Sequence, residues 1–327
     1  MRYTLLILIG LLVASCTTST KQRPGGKRRT TNSAPYELLL VCDKAWLETS
    51  DGSILKDMVY TEIPALPAPE SNFKVISINP AGFSKTFQGF ANIIVAEFGS
   101  QYKKAEVRTA NDLYAHPQRV VYLTAPDSRS LAQLAAERGS QIINTFVASE
   151  LERERDVLKQ SHSSVVLNAV NEMFGFKLYA PASIDAVKKG KDFVWASSDA
   201  EDNRLNICVY TLPFNDGTMF GLSQFIEMRD SVMKINIEGE RPGQYMTTNA
   251  PSVIVDAIEV DGNPVFEARG LWEMEGDMMG GPFVSHVRFD SESQKIIITE
   301  GFVFAPEKKK RPYIRELEAA LQTLKIE

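Results

Sequence analysis

This sequence predicts a mixed α+β fold in two α/β halves, and three observations carry the prediction. Short apolar runs of strand length recur along most of the chain. Segments with helical spacing interrupt them after residue 127, at residues 222–235 and near the C-terminus. Hydrophobic residues make up 44% and charged residues 24%, an ordinary balance for a globular protein with a packed core. At 327 residues the chain is long enough for two domains of common size.

The first folded half is placed at residues 36–161. Runs at 37–42, 73–78, 91–98 and 119–123 read as strands. Residues 53–60 read as a short helix, and Pro64, Pro67 and Pro69 mark a loop. Asp127 is a good N-cap for the long helix that follows. Leu131, Leu134, Ala135, Ile142, Phe146 and Leu151 give that helix an apolar stripe for packing across the sheet. Its end, residues 150–157, is charged on most faces and either projects into solvent or bridges the halves.

The second half is placed at residues 162–327. A short helix at 165–174 leads to strands at 176–179, 193–195 and 205–212, then to the helix at 222–235. Strands at 254–260 and 265–274 flank Asp261-Gly262-Asn263-Pro264, a strong turn signal. Strands at 283–289 and 295–304 form a second hairpin around residues 290–294. Pro312 opens a terminal helix in which Tyr313, Leu317, Leu321 and Leu324 keep helical spacing. An antiparallel sheet packed with helices is the natural assembly.

The N-terminus carries an address. Arg2 precedes an apolar core at residues 5–13, and Val13-Ala14-Ser15-Cys16 reads as a lipobox. Residues 1–15 are therefore expected to be a lipoprotein signal peptide, with Cys16 lipidated and several acyl chains (palmitate-type) holding the protein to a membrane. Residues 16–35 are polar, rich in Gly, Ser, Thr and Pro, and are expected to form a flexible basic tether. Its Lys21, Arg23, Lys27, Arg28 and Arg29 either meet anionic headgroups or keep a spacer soluble. Thr17 in place of Asp favours the outer membrane, and the absence of an acidic stretch after Cys16 favours its periplasmic face.

Charge narrows the partners. The formal net charge of −5 becomes −6 once Arg2 leaves with the signal peptide, which argues against nucleic acid as a partner. No later run reaches transmembrane length. Besides Cys16, only Cys42 and Cys208 remain, both in apolar runs, and a disulfide between them stays open.

Motifs for chemistry are sparse. His116, His162 and His286 are isolated, without metal-ligand spacing, so no metal and no cofactor is expected. His162 sits in a polar run and is expected to be solvated, and His286 in a strand pattern. Ser53–Lys56 and Ser231–Lys234 match SxxK by chance frequency, without companion motifs. Arg229 falls within the apolar face of its helix, either as a satisfied buried guanidinium or as an anion-binding group at a cleft floor. If the strand through Trp272 continues, Glu273, Glu275 and Asp277 alternate onto one face, as an acid/base pair, as hard oxygen ligands for Ca²⁺ or as a solvated edge. Met278 and Met279 beside Trp272, with the Gly280-Gly281-Pro282 turn, form an adaptable surface for a partner.

The chain resembles a known family at several motifs. These are Phe174-Gly175-Phe176 with Pro181, Phe193-Val194-Trp195, residues 229–234 (RDSVMK), Arg269-Gly270-Leu271-Trp272 and residues 279–284 (MGGPFV). Together they are similar to an uncharacterised family of Bacteroidota lipoproteins with a domain of unknown function, across essentially the whole mature chain. The element order of the second half also resembles the PsbP-like α/β/α sandwich, on topology alone. The reading is a non-enzymatic, membrane-anchored envelope lipoprotein that binds a protein or glycan through Arg229, Trp272, Met278, Met279, Gly280 and Gly281. The alternative is a glycan hydrolase using Glu273 with Glu275 or Asp277.

Overall fold

A computed structural model describes residues 29–200, 202–215 and 217–326. The expected signal peptide, Cys16 and the tether up to residue 28 lie outside the described residues.

The first half opens with β1 (Glu37–Val41) and two helices, α1 (Lys44–Leu47) and α2 (Ser50–Val59). Strands β2 (Lys74–Ile78), β3 (Asn92–Phe98), β4 (Glu106–Asn111) and β5 (Arg119–Ala125) complete a sheet in the order β2-β1-β3-β5-β4. Neighbours run parallel except β4, which joins β5 antiparallel at one edge. Parallel strands covered on both faces read as unbroken apolar runs, as in β1 and β3. β4 escapes the sequence reading because an exposed edge strand needs no apolar alternation.

The two faces of this sheet are covered differently. Leu38, Leu40, Ile94, Val121 and Leu123 pack under α1, α2 and α3 (Ser128–Gln160). On the other face, Leu39, Val41, Ile93, Val95 and Val120 lie beneath connecting segments instead. Phe83, Phe87, Phe90 and Tyr114 of those segments pack onto them, half-buried. The predicted tether ends early, because residues 29–33 are hydrogen-bonded to these same segments.

α3 ties the halves together. It is 33 residues long, about 50 Å, and starts where Asp127 accepts the Ser130 N–H at 2.9 Å. Gly139 lets it close on α2, since a Cβ there would stand 2.7 Å from Met58 Cγ. Leu131, Ala135, Ile142 and Phe146 belong to the first core, whereas Leu151 and Leu158 belong to a core of the second half. Its charged end therefore bridges.

In the second half, α4 (Ser164–Phe174) is capped by Ser163 and closed by Gly175 in the left-handed conformation. Then come β6 (Phe176–Lys177), β7 (Ile184–Gly190), β8 (Phe193–Ser198), β9 (Arg204–Pro213), α5 (Leu222–Asn236) and β10 (Met246–Val260). β11 (Asn263–Met274), β12 (Gly280–Asp290), β13 (Lys295–Phe304), α6 (Arg311–Leu321) and β14 (Lys325–Ile326) complete it. Seven strands form one antiparallel sheet, β10-β11-β12-β13-β9-β8-β7, and β14 pairs with β6. Asp261 and Gly262, both at positive φ, close the predicted β10–β11 hairpin. β10 begins at Met246 rather than at 254, past an irregularity around Pro251 that breaks its pattern.

Helices cover both faces of this sheet. Ile207, Val209, Ile297 and Val303 share a core with α4, α6 and the end of α3, and Cys208, Tyr210, Ile298 and Phe302 share one with α5. No helix among the described residues is long and apolar enough to cross a membrane.

Candidate functional site

The hairpin predicted as a contact surface is built differently from its sequence pattern. Trp272 is packed in the core at 2% exposure, its Nε1–H donating to the Val303 carbonyl at 3.2 Å and its ring edge-on to Phe302. It is not part of a surface, because the β11 face it occupies is the one α5 covers. Gly280 and Gly281 start β12 rather than forming a turn, and a Cβ on Gly281 would collide with the Val303 carbonyl at 2.0 Å. Met279 is half-buried against the same core, leaving only Met278 fully in solvent.

Glu273, Glu275 and Asp277 do not alternate along one strand. β11 ends at Met274, Gly276 turns at φ +76°, and the Met274 N–H reaches the Met279 carbonyl across the turn. All three carboxylates are exposed around that hairpin tip. Asp277 accepts the Met278 N–H at 2.6 Å, so it serves the turn.

Arg229 is completely buried, so its guanidinium does not stand at the open floor of a cleft. Its Nε and Nη2 donate to the Glu300 carboxylate on β13 at 2.8–3.1 Å, and Nη1 donates to Thr248 on β10 at 2.7 Å. The guanidinium lies 4.1 Å over the Phe283 ring. Burial opposes its charge, but Glu300 outweighs burial and keeps it protonated. It braces α5 against the sheet. Beside it, burial pushes the Cys208 thiol up, and the Tyr210 hydroxyl and Ser285 Oγ are buried without a partner.

The remaining candidates are structural. Cys42 and Cys208 are free and buried, in separate halves. His162 is half-buried rather than fully solvated: its Nδ1 lies 3.0 Å from the Leu158 carbonyl and its ring packs on Tyr179. Ser53 donates to the Ser50 carbonyl, Lys56 pairs with Glu48, and Lys234 stacks over Tyr245, so neither SxxK pair is joined as a nucleophile and base.

A cleft that sequence reasoning missed lies where the halves meet. It encloses about 510 Å³ between α3 (Ile143, Asn144, Val147, Leu151), the β10–β11 strands (Asp256, Ile258, Glu267, Arg269) and α6 with its C-cap (Arg315, Glu318, Gln322). Thr61, Glu62 and Asn72 of the first half also line it. None of Glu273, Glu275 and Asp277 lines it.

Its floor is a chain of buried polar groups. Arg315 donates to Asn72 at 2.5 Å and to Glu318 at 2.6 Å. Glu318 also receives Arg269 at 2.6 Å, and Arg269 forks onto Glu267 at 2.7 and 3.0 Å. Glu267 meets His286 Nε2 at 3.1 Å, and His286 Nδ1 faces Arg288 at 3.5 Å. Burial lowers the His286 pKa, so the ring is neutral, donating from Nε2 and accepting at Nδ1. Burial alone would raise Glu267, but Arg269 and His286 hold it well below the carboxylate range. Burial pulls Arg288 down to about 10. Each floor carboxylate already has two partners, so neither is free for a metal. Among the described residues no group of three or more His, Cys, Asp and Glu is placed to hold one.

Local signals for this floor exist only in pairs. Glu267 and Arg269 sit two apart on a strand, and Arg315 and Glu318 three apart on a helix. The Arg269–Glu318 link between them is tertiary.

Comparison with known families agrees with this division. Residues 31–159 match the family described as Domain of unknown function (DUF8532). Residues 163–323 match the family described as Domain of unknown function (DUF4837). The two matches part between α3 and α4. No curated protein matches the chain.

Proposed function

We propose that this protein is a lipid-anchored, non-enzymatic binding module of the bacterial cell envelope, with the cleft between its halves as the ligand site. The cleft carries the reading. Its size suits a small ligand or a peptide segment, and both halves contribute walls, the usual setting for such sites. Its buried charged groups are committed to one another, so the site is suited to holding a ligand rather than to moving protons.

The lining has five carboxylates, Glu62, Asp256, Glu259, Glu267 and Glu318, against two guanidiniums, Arg269 and Arg315. Glu62, Asp256 and Glu259 are exposed at the rim beside the apolar Ile143, Val147 and Ile258. That surface favours a partner with positive charge and hydrogen-bond donors, namely a basic segment of an envelope protein.

Anchoring through Cys16 and an outer-membrane, periplasm-facing position rest on the lipobox and on the resemblance to Bacteroidota lipoproteins. Helices on both faces of the seven-stranded sheet support the resemblance to the PsbP-like sandwich. The test is crosslinking in living cells followed by affinity purification and mass spectrometry. One stoichiometric protein partner, lost on filling the cleft with Asn144→Trp, would support the proposal. Co-purifying glycan without protein would replace the partner class, and a partner indifferent to Asn144→Trp would rule out the cleft.

A further inference from the structure

The first described residues are fastened to one particular face. Arg29 donates from Nη1 to the Lys85 carbonyl at 2.9 Å and accepts the His116 N–H at 2.8 Å. Thr31 donates to the His116 carbonyl, Asn32 to the Gly89 carbonyl at 2.9 Å, and Ser33 Oγ accepts the Ala91 N–H at 2.9 Å. These partners belong to segments 79–91 and 112–118, the ones that cover the face of the five-stranded sheet without α-helices.

The two segments themselves are apolar, aromatic and poor in acid. Phe83, Phe87, Phe90 and Tyr114 are half-buried there, with Phe83 edge-on to Tyr114 at 5.6 Å. Leu113 of the second segment is 49% exposed. The two segments carry Lys85 and His116 against a single acid, Asp112, which pairs with His116 at 3.0 Å, although the whole chain is net acidic.

Thirteen residue steps separate Cys16 from Arg29. A chain of that length reaches at most about 45 Å. An anchor at Cys16 therefore joins the folded body at this face, and not at the helix-covered one. Arg23, Lys27 and Arg28 add positive charge along the way.

We propose that this loop-covered face of the first half is a membrane-contact surface, seating Phe83, Phe87 and Leu113 at headgroup level on an anionic bilayer while Arg29 and Lys85 meet lipid phosphates. The inference rests on Cys16 being the lipid anchor. Aromatic rings at the interface and basic side chains beside phosphates are the usual elements of such contact. The cleft then lies on the helix side of the sheet, where α3 leaves it open to a periplasmic partner.

The test places an environment-sensitive fluorophore at Ser84→Cys and, as reference, at Ser140→Cys on α3. The proteins are isolated from membranes and reconstituted in vesicles of phosphatidylethanolamine and phosphatidylglycerol carrying a quencher lipid. Quenching at position 84 at least twofold above that at 140, and reduced by about half by Lys85→Glu, is the expected result. Equal quenching at both positions in protein whose N-terminal peptide mass shows acylation overturns this inference alone. A peptide mass without acyl chains overturns the anchor and this inference together.

Discussion

The Glu70 carboxylate caps helix α6 from the other half of the chain, accepting the Arg311 backbone N–H at 3.1 Å and that of Lys310 at 2.5 Å. α6 needs an outside partner because its own N-cap position is Lys310, whose side chain offers no acceptor. Arg311 returns a bond to the Ser71 carbonyl, and Arg315 one to Asn72. A single short segment, residues 70–72, therefore seats the helix that floors the cleft.

Replacing that cap should loosen the junction. Glu70→Ala is expected to cost about 1–2 kcal/mol, the usual range for a lost helix cap with its favourable charge at the N-terminus. Denaturant unfolding reads the loss. Faster amide exchange in residues 310–314 than in α5 would locate it at α6.

Arg229 and Glu300 should behave as a buried pair. Arg229→Met alone or Glu300→Leu alone leaves one charge buried and is expected to cost about 3–5 kcal/mol. The double variant, apolar on both sides, should recover most of that. A double-mutant cycle in urea checks it, and additive losses would refute the pairing.

Stability should fall as the solution is acidified below about pH 6.5, the ordinary histidine value. The folded His286 pKa is lowered by burial, so its contribution is complete above the unfolded value. It is lost as pH falls toward the folded one, because the unfolded chain takes up the proton first. His286→Gln, which can still donate to Glu267, should flatten the decline in thermal midpoint between pH 6.5 and 5.

Glu316 acts in the opposite direction. Burial first, and Glu154 second, raise its pKa to about 7. Its contribution is complete below the unfolded carboxylate value and is lost as pH rises through 7. Glu316→Gln should therefore stabilise the protein at pH 8, by about 1–2 kcal/mol once its partial exposure is discounted, and change little at pH 4.

Both thiols should be inert in the folded state. Burial pushes Cys42 up to about 12 and Cys208 well above the free-thiol value. In protein whose Cys16 is acylated or has been removed, both are expected to stay unmodified by a thiol reagent at pH 8, with two equivalents reacting in denaturant. Rapid labelling of either without unfolding would contradict their placement.

Local chemistry in the sequence determined the elements that depend on neighbours alone. Asp127 as a helix cap, Asp261-Gly262 as a tight hairpin turn and the stripe of the long helix each need only residues a few positions apart. Edge strands β4 and β7 carried no such signal, because solvent on their outer sides removes the pressure for apolar alternation. What Trp272, Arg229 and the three acids do was decided in three dimensions. Trp272 finds its acceptor 31 residues away and Arg229 its counter-charge 71 residues away, while a left-handed Gly276 breaks the strand that would have aligned the carboxylates. The cleft was illegible for the same reason. Its walls come from α3, β10, β11 and α6, which meet only in three dimensions, with α6 capped by Glu70, 240 residues upstream.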